Sequence, residues 1–354
     1  MGRYAICQVS HLRDEGGVGL VDRIIVVGAS AGGLTALKAL CAGLPADLPA
    51  AVLIVQHIVA TARSVLPELL TRAGPLPAAH GVDGERIEAG RIYVAPPDRH
   101  MMLDDGGRIM LRRGPVENRT RPAIDALFRS GAVYYGSRCY GAVLSGLLDD
   151  GTAGLVAIKR CGGTSIVQDP EEASWPDMPR NALIGDSIDH CVTIADMAEL
   201  LPRLVREPSA TNVPPPPDLV AEYRISQQEV PPMSEKATIL GSPSPFSCPQ
   251  CGGVLNELHS DKLPRFRCQI GHAYGGETLA AAQVDLLEEA MATALRTHRE
   301  RVVLFRRMQE SAQARGYAHA ATRWEKAAGE AERSSDVLNA ALNSLRLAPE
   351  EVKD

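Results

Sequence analysis

The chain has 354 residues, which is long enough for two domains, one of them with a large buried core. Aromatic residues make up only 4% and the formal net charge is −6, so the composition argues against base stacking and phosphate binding, and we expect no nucleic-acid partner. No apolar run approaches the ~20 residues that span a bilayer, and we expect no membrane insertion.

The eight cysteines are unevenly spread, unlike the dense and even spacing of a secreted disulfide framework. Residues 1–21 lack the apolar core of a signal peptide and are predicted to form a flexible leader. These two features together indicate a cytoplasmic protein whose thiols are reduced.

Residues 22–205 alternate short apolar runs with amphipathic, helix-compatible segments. Several of the runs are almost continuous in Val, Ile and Leu, as in parallel strands that are covered on both faces. This alternation predicts an α/β domain with a doubly wound, mainly parallel sheet and helices on both faces. Strands are predicted at 23–29, 50–56, 91–96, 140–146 and 164–169, and helices at 33–44 and 153–162.

The next segment, 206–245, differs in composition and holds 9 of the chain's 25 prolines, four of them consecutive at 214–217. Such a segment cannot pack a core and is predicted to run as an extended linker. Within it, the stretch EYRISQQEV (222–230) is the part that could dock locally.

Residues 246–275 carry a cysteine cluster with the spacing of a four-coordinate zinc site, and we predict a zinc-ribbon-like module with structural zinc. Its ligands would be Cys248, Cys251, Cys268 and His272, with His259 as a second-choice ligand and free cytosolic thiols as the alternative. Because metal binding would supply on the order of 10 kcal/mol to so small a module, we expect zinc removal to unfold it and to leave the α/β domain intact.

The remainder of the chain, 276–354, is predicted to form a helical hairpin tail. Two long helical stretches, 276–314 and 318–346, are separated by a short break at Gly316. Their apolar stripe either packs within the hairpin or serves partner binding or self-association, and the sequence leaves both open.

The stretch IIVVGASAGG, residues 24–33, begins like a strand that enters a dinucleotide-binding turn. The GxGxxG pattern would place glycines at 28, 30 and 33, but position 30 is Ser30. A side chain there blocks the approach of the backbone to a pyrophosphate, so nucleotide binding is disfavoured.

Ser30 instead suggests nucleophilic chemistry, because two partners follow other predicted strands. His57 follows the strand at 50–56, and Asp150 follows the strand at 140–146. Functional groups collect beyond the carboxyl ends of parallel strands, where a hydroxyl, an imidazole and a carboxylate would supply acyl-transfer chemistry. Taken singly, the serine fits an N-cap, the histidine a satisfied polar residue and the aspartate a turn.

Six segments, in the same order, resemble the catalytic domain of CheB-type protein-glutamate methylesterases over about residues 22–205. They are GASAGG, VQHI, APPDRHM, NRTRPAIDALF, LSGLLDDGTAGL and EEASWPDMPRNA. The resemblance implies a serine esterase of chemotaxis-type signalling that demethylates glutamate γ-methyl esters on methyl-accepting chemoreceptors, deamidates receptor glutamines and needs no cofactor for catalysis.

The resemblance also implies roles for individual residues. The nucleophile falls on Ser30, the histidine on His57 and the aspartate on Asp150, since the family's aspartate directly precedes a glycine. The oxyanion donors would be the backbone N–H groups of Ala31 and Leu147.

The chain departs from the family pattern at three positions and in its organisation. Ala31 stands where threonine is common, Asp149 where asparagine is usual, and Asp177 where glycine is common. Because only residues 1–21 precede the first strand, we expect no attached receiver domain, and a separate response-regulator protein is a candidate partner. The alternative function is a low-activity adaptor that binds receptors or signalling partners through the α/β domain and the zinc–helix tail.

Overall fold

The structure is a computed structural model that describes residues 21–59, 61, 64–185, 187–209, 213–227, 241–258 and 263–347. The predicted leader, apart from Val21, and the second-choice ligand His259 lie outside the described residues.

In this part of the chain, nine strands and six helices precede residue 206, and a single 3-10 turn lies at Gly136–Arg138. The strands are Ile24–Ala29 (β1), Ala51–Gln56 (β2), Ala78–His80 (β3), Ile92–Val94 (β4), His100–Leu103 (β5), Ile109–Arg112 (β6), Cys139–Val143 (β7), Thr164–Gln168 (β8) and His190–Val192 (β9). The helices are Gly33–Gly43 (α1), Leu66–Ala73 (α2), Ile124–Tyr135 (α3), Thr152–Arg160 (α4), Asp177–Gly185 (α5) and Ile194–Leu204 (α6).

Seven of these strands form one sheet in the order β3-β4-β2-β1-β7-β8-β9, and every neighbouring pair in it is parallel. Strands β5 and β6 pair with each other as an antiparallel hairpin. The predicted doubly wound, parallel sheet is therefore confirmed, with each predicted strand present and shorter by one to three residues.

Both faces of the sheet are covered, which explains why the strands are apolar throughout. On β1, Ile24 and Val26 pack into the core beneath α3, α4 and α5, whereas Ile25 and Val27 pack into the core beneath α1, α2 and α6. Successive side chains of a strand point to opposite faces, so an uninterrupted apolar run serves both cores.

The order of strands reverses at β1, which places a topological switch point between β1 and β7. The register aligns Ala29 of β1 with Gln56 of β2, and Gly28 of β1 with Val143 of β7. The carboxyl ends of β1, β2 and β7 are therefore adjacent, and ligands of open parallel sheets bind at such a place.

The extended linker predicted for 206–245 is wrong in its central part, where Pro217–Ser226 forms a helix (α7). Proline is tolerated at the first position of a helix, so the last of the four consecutive prolines begins α7 instead of preventing it. Leu219 and Tyr223 are buried one helical turn apart, and the Tyr223 hydroxyl donates to the Leu103 carbonyl oxygen at 2.8 Å. Residues 228–230 of the stretch that could dock locally lie outside the described residues.

A second sheet follows, with four antiparallel strands in the described residues 241–258 and 263–275. Its first strand begins inside the segment predicted as linker. The sheet also contacts the α/β domain, because Glu117 forms a parallel bridge with Ala273. The strands are Gly241–Ser247 (β10), Val254–Leu258 (β11), Arg265–Cys268 (β12) and Ala273–Gly275 (β13).

The chain divides into two compact units, Met1–Leu279 and Ala280–Asp354, so the small sheet shares a unit with the α/β domain. The predicted helical hairpin is present as Gly276–Ala314 (α8) and Ala318–Leu347 (α9). Within the second unit, Phe305 stacks on Trp324 with ring centroids 5.5 Å apart. Among the described residues, no helix combines the length and the apolar character that crossing a membrane requires.

Candidate active site

Ser30 follows β1 directly and stands in a tight turn that leads into α1. Its N–H donates to the Ser145 carbonyl oxygen at 3.0 Å, and its own carbonyl oxygen accepts from the Gly33 N–H at 2.9 Å. Gly32 has a φ of 72°, and a Cβ on Gly33 would lie 2.4 Å from the side-chain oxygen of Gln56. The glycines after Ser30 therefore permit a turn that a bulkier sequence could not form.

His57 lies beside Ser30 because its N–H continues the β1–β2 pairing and donates to the Ala29 carbonyl oxygen at 3.1 Å. Its Nδ1 is 3.1 Å from Ser30 Oγ, and its Nε2 is 2.8 Å from Asp150 Oδ2. With the ring proton on Nε2 donated to the carboxylate, Nδ1 is free to accept the serine proton. The ring thus contacts both partners. In the Ser-His-Asp template Nε2 faces the serine and Nδ1 faces the aspartate, and here the two nitrogens are exchanged.

Asp150 is 2% exposed and is surrounded by hydrogen-bond donors. Besides His57, it accepts from the Ile124 N–H at 2.8 Å, from the Asp125 N–H at 3.1 Å and from Asn118 Nδ2 at 2.8 Å. Burial alone would raise the pKa of Asp150, but the hydrogen bond and charge of His57, together with the backbone and amide donors, lower it below its ordinary value. The carboxylate is therefore ionised, as a group that orients an imidazole must be.

Gln56 and Thr120 support the histidine, and reasoning from the sequence missed both. The Gln56 amide donates to the Ser30 carbonyl oxygen at 2.8 Å and to the His57 carbonyl oxygen at 3.2 Å. Thr120 Oγ1 lies 3.3 Å from His57 Nε2 and donates to the Glu117 carbonyl oxygen at 3.3 Å. Their only signal in the sequence is membership of the VQHI and NRTRPAIDALF segments.

Three comparisons with known proteins bear on this site. The sequence model described as CheB methylesterase matches residues 25–201. A Bordetella pertussis protein named protein-glutamate methylesterase/protein-glutamine glutaminase is 37% identical over 188 residues, which are 52% of this chain and 53% of that protein. A Leptospira interrogans protein provisionally given the same name is 35% identical over 180 residues, 51% of this chain and 93% of that protein.

A solved structure agrees with these sequence matches. The crystal structure of the Thermotoga maritima CheB methylesterase catalytic domain matches with a TM-score of 0.50 and 31% identity, and it covers 52% of this chain and 98% of that domain. The chain belongs to the CheB methylesterase family.

The CheB match ends at residue 201, so α7, the small sheet and the hairpin lie beyond the matched range. The chain spans nearly all of the Leptospira relative but about half the length of the Bordetella relative. The CheB match therefore assigns no role to these later elements.

The two residues predicted as oxyanion donors are Ala31, in the Ser30 turn itself, and Leu147, in the loop after β7. Leu147 is 43% exposed and follows Gly146, where an added Cβ would lie 2.8 Å from the Ser30 Cβ. The Ala31 N–H shares its peptide with the Ser30 carbonyl oxygen, which accepts from Gln56 Nε2 at 2.8 Å and from the Gly33 N–H at 2.9 Å, so this peptide is held in place.

Asp149, where the CheB pattern usually has asparagine, is buried and belongs to a different network from Asp150. It accepts hydrogen bonds from the Thr278 hydroxyl and from the Glu277 N–H, both at the start of α8. Burial raises the pKa of Asp149, and the Thr278 hydrogen bond partly offsets that rise. Residues beyond the family match therefore satisfy the extra carboxylate.

Asp125, on α3, is a further buried carboxylate at the site. Its oxygens accept from the N–H groups of Gly151 and Gly154 at 3.1 and 2.6 Å, and from Asn118 Nδ2 at 2.8 Å. Burial, followed by the negative charge of Asp150, raises the pKa of Asp125 to about 7.

The four predicted metal ligands lie together, with their ligand atoms all within 4.8 Å of one another. A tetrahedral zinc ion with Zn–S bonds of about 2.3 Å and Zn–N bonds of about 2.0 Å would separate its sulfurs by about 3.8 Å and each sulfur from nitrogen by about 3.5 Å. Here Cys251 Sγ is 3.7 Å from Cys268 Sγ, and His272 Nδ1 is 3.7 Å from Cys248 Sγ and 3.5 Å from Cys268 Sγ. The cluster could hold a tetrahedral metal ion.

Burial shifts the pKa values of two of these ligand groups. Burial, followed by the charges of Arg121 and Arg267, lowers the pKa of His272 and favours the neutral imidazole that binds metals. Burial raises the pKa of the Cys268 thiol to about 11.

Proposed function

We propose that the chain is a protein-glutamate methylesterase that hydrolyses glutamate γ-methyl esters on a methyl-accepting chemoreceptor-like protein. The observation that carries the proposal is the continuous hydrogen-bonded series of Ser30, His57 and Asp150 at three adjacent strand ends. Glutamine deamidation is the same acyl transfer with ammonia as the leaving group, and the Bordetella relative carries both activities in its name.

The mechanism follows from the geometry of the triad. His57 Nδ1 takes the proton of Ser30 as Oγ attacks the ester carbonyl carbon, and Asp150 stabilises the imidazolium. The imidazolium then returns that proton to the methoxy group, so that methanol leaves and an acyl-enzyme on Ser30 remains. Water, deprotonated by His57, attacks the carbonyl carbon of the acyl-enzyme. The imidazolium returns the proton to Ser30 Oγ as the acyl C–O bond breaks, so that glutamate is released and the free serine is restored. Apart from water and the ester, these steps use only groups of the protein.

The N–H groups of Ala31 and Leu147 would bind the oxyanion of each tetrahedral intermediate. Ala31 directly follows Ser30, and Leu147 follows Gly146, which packs against Ser30. In the part of the chain that the structure describes neither N–H has an intramolecular acceptor. The adjacent α1 begins at Gly33, so its positive N-terminal end faces the same position.

The Cys3His cluster would hold a structural zinc ion through Cys248, Cys251, Cys268 and His272. All four positions of a tetrahedral ion would then be filled by protein ligands, which is typical of structural sites. Thiolate ligands require reduced cysteines, and this requirement supports a cytoplasmic location. We also propose that a separate response-regulator protein regulates the esterase activity.

The test is methanol release from methylated chemoreceptor, measured for the wild type, Ser30→Ala and the control Ser344→Ala in α9. We expect turnover to fall by at least about 10⁴-fold in Ser30→Ala, because members of a triad act as a unit, and to be unchanged in the control. Equal turnover in Ser30→Ala would remove the serine as nucleophile. A wild type that binds receptor and releases no methanol would indicate the adaptor function.

Zinc is tested by metal analysis of the reduced protein. We expect one zinc ion per chain in the wild type and a large loss in Cys251→Ser. A stoichiometry near zero in the wild type would refute the metal site.

A further inference from the structure

A short loop of the α/β domain, residues 117–120, lies between Asp150 and the small sheet. Its backbone joins that sheet: the Asn118 N–H donates to the Ala273 carbonyl oxygen at 2.8 Å, and the Ala273 N–H donates to the Val116 carbonyl oxygen at 3.4 Å. The loop therefore continues the small sheet beside β13, while the side chains of Asn118 and Thr120 contact the triad.

The Asn118 side chain is 6% exposed, and the nitrogen and the oxygen of its amide bond to different parts of the structure. Its nitrogen donates to Asp150 Oδ1 and to Asp125 Oδ2, each at 2.8 Å, and its oxygen accepts from the Gly275 N–H at 3.0 Å. Rotating the amide by 180° would turn its oxygen towards two carboxylates and leave the Gly275 N–H without its acceptor. The Gly275 N–H thus selects the orientation in which Asn118 donates to Asp150.

Gly275 is held in place from two sides. A Cβ at this position would lie 2.0 Å from Asp149 Oδ2, so only glycine fits. It ends β13, three residues after His272, and β13 pairs with β12, which ends at Cys268. A metal ion bound by these two ligands would fix the β12–β13 hairpin and with it the Gly275 N–H.

The other end of the loop is fixed by a buried charge cluster. Glu117 accepts from Arg129 of α3 at 2.7 Å, from Arg267 of β12 at 3.2 Å and from the Ser226 hydroxyl of α7 at 2.7 Å. A buried ion pair positions its members strongly, because the removal of one partner leaves an uncompensated charge. Residue 117 is thus tied to the α/β domain, α7 and the small sheet at once.

We infer that Asn118 is a positioning residue for Asp150, and that the metal-binding module, through the Gly275 N–H, holds its amide in the orientation that the triad needs. The inference rests on the proposed function of Ser30, His57 and Asp150, and it assigns the module a role inside the active site.

The inference implies a defined pH dependence. Each donor to Asp150 favours the ionised carboxylate, so the loss of the Asn118 amide raises the pKa of Asp150. As the pH falls, a variant without the amide loses its ionised Asp150, and hence its reactivity, at a higher pH than the wild type does. The titratable groups that face Asp150 are His57, His100, Asp125 and Asp149, and all four are kept in the variants below.

The experiment measures the rate at which a fluorophosphonate labels Ser30 as a function of pH, because this reaction needs the triad and no receptor. Asn118 has a φ of 49°, so Asn118→Gly removes the amide without backbone strain. Asn118→Asp keeps an oxygen for the Gly275 N–H but loses both donors. The matched control is Arg119→Gly, which introduces glycine at the neighbouring exposed position with a φ of 64°.

We expect labelling at neutral pH to slow about 10- to 100-fold in Asn118→Gly and more in Asn118→Asp, with the acid limb of both profiles shifted to higher pH. The control should match the wild type. Wild-type rates and an unshifted acid limb in both Asn118 variants would overturn the positioning role.

The part played by the module is tested by removing the metal from the full chain, by chelation and with Cys251→Ser. If the module acts through Asn118, metal loss slows labelling of the wild type about as much as Asn118→Gly does, and it adds little in the Asn118→Gly background. Multiplicative effects in the double variant, or absence of metal from the reduced wild type, would overturn this part.

Methanol release from methylated receptor, run in parallel, separates the two proposals. Labelling of wild-type Ser30 without methanol release would contradict the proposed substrate and leave the labelling profiles to decide on Asn118. Methanol release with no effect of Asn118→Gly on either assay would contradict the inference alone. A wild type that is neither labelled nor releases methanol would overturn both.

Discussion

Asp150 accepts four hydrogen bonds, one from the imidazole and three from groups that hold the carboxylate still. An amide in its place would direct an NH₂ group at donors, and it could not keep the ring proton of His57 on Nε2. We expect Asp150→Asn to lower turnover by about 10⁴-fold, as the loss of the correct tautomer does in other triads. Methanol release measures the loss, and turnover within tenfold of the wild type would show that Asp150 does not orient His57.

For Asp149 we expect a substitution by asparagine to be tolerated, because asparagine keeps an acceptor oxygen. Asp149→Asn keeps an oxygen for the Thr278 hydroxyl and removes a negative charge beside Asp150. The pKa of Asp150 should then fall further, so that activity persists to a lower pH than in the wild type. The pH profile of methanol release tests the direction of this shift, and a shift to higher pH would contradict it.

The control for this substitution is Asp149→Ala, which leaves the Thr278 hydroxyl and the Glu277 N–H without an acceptor. We expect it to lower the free energy of unfolding by about 1–3 kcal/mol.

At the residue scale, the sequence could suggest Ser30, His57 and Asp150 because each follows a strand, and strand ends of a parallel sheet meet. It could not suggest Asn118 as a partner of Asp150, because that contact depends on a loop with left-handed backbone at residues 118 and 119. The orientation of the amide depends in turn on Gly275, 157 residues away along the chain. Neither dependence leaves a periodic signal.

At the element scale, α7 shows where composition misleads. The four consecutive prolines predict an extended segment, but the helix that follows them buries Leu219, Tyr223 and Ile225. Glu222 is buried on the same helix, where its carboxylate accepts from Arg265 at 2.5 Å and from Arg129 at 3.3 Å. A glutamate among apolar residues is predicted to be exposed to solvent. The sequence does not show that arginines from distant elements will pair with it.

Glu222→Gln tests whether these ion pairs stabilise the packing of α7. Burial alone would raise the pKa of Glu222, but the charges of Arg265, Arg129 and Arg267 lower it to about 2. The substitution leaves buried arginines short of a partner, so we expect it to lower the free energy of unfolding by roughly 3–5 kcal/mol at pH 7.

The pH dependence of this difference has a definite sign. A carboxyl with a depressed pKa contributes stability above its unfolded pKa and loses it as the pH falls through the folded value. The difference between the wild type and Glu222→Gln should therefore shrink between about pH 5 and pH 2, as urea unfolding at several pH values would show. The exposed Glu171, 3.8 Å from Arg180, is the control, and Glu171→Gln should change stability by less than about 1 kcal/mol. A constant difference across this pH range would contradict the ion-pair explanation.

At the scale of the whole molecule, the α/β domain and the small sheet form one compact unit, whereas the sequence suggests a linker between two independent modules. Local patterns predicted the parallel sheet and the C-terminal helices, and the four residues predicted as metal ligands lie together. The contacts that join the parts are single backbone pairs and buried charges, such as Glu117 with Arg267 and Asn118 with Ala273. Because of these contacts, we no longer expect zinc removal to leave the α/β domain intact.

Metal removal should instead destabilise the α/β domain together with the module. Without the ion, the β12–β13 hairpin loses its crosslink, and the backbone pairing at residues 117 and 118 loses its partner strand. We expect chelation to lower the Tm of the whole unit by about 5–15 °C, in one transition. Hydrogen exchange should then quicken at residues 116–125 as well as at 246–275, and re-addition of zinc should reverse both changes. Quickened exchange confined to 246–275, with an unchanged Tm for the rest, would show that the module folds independently of the triad.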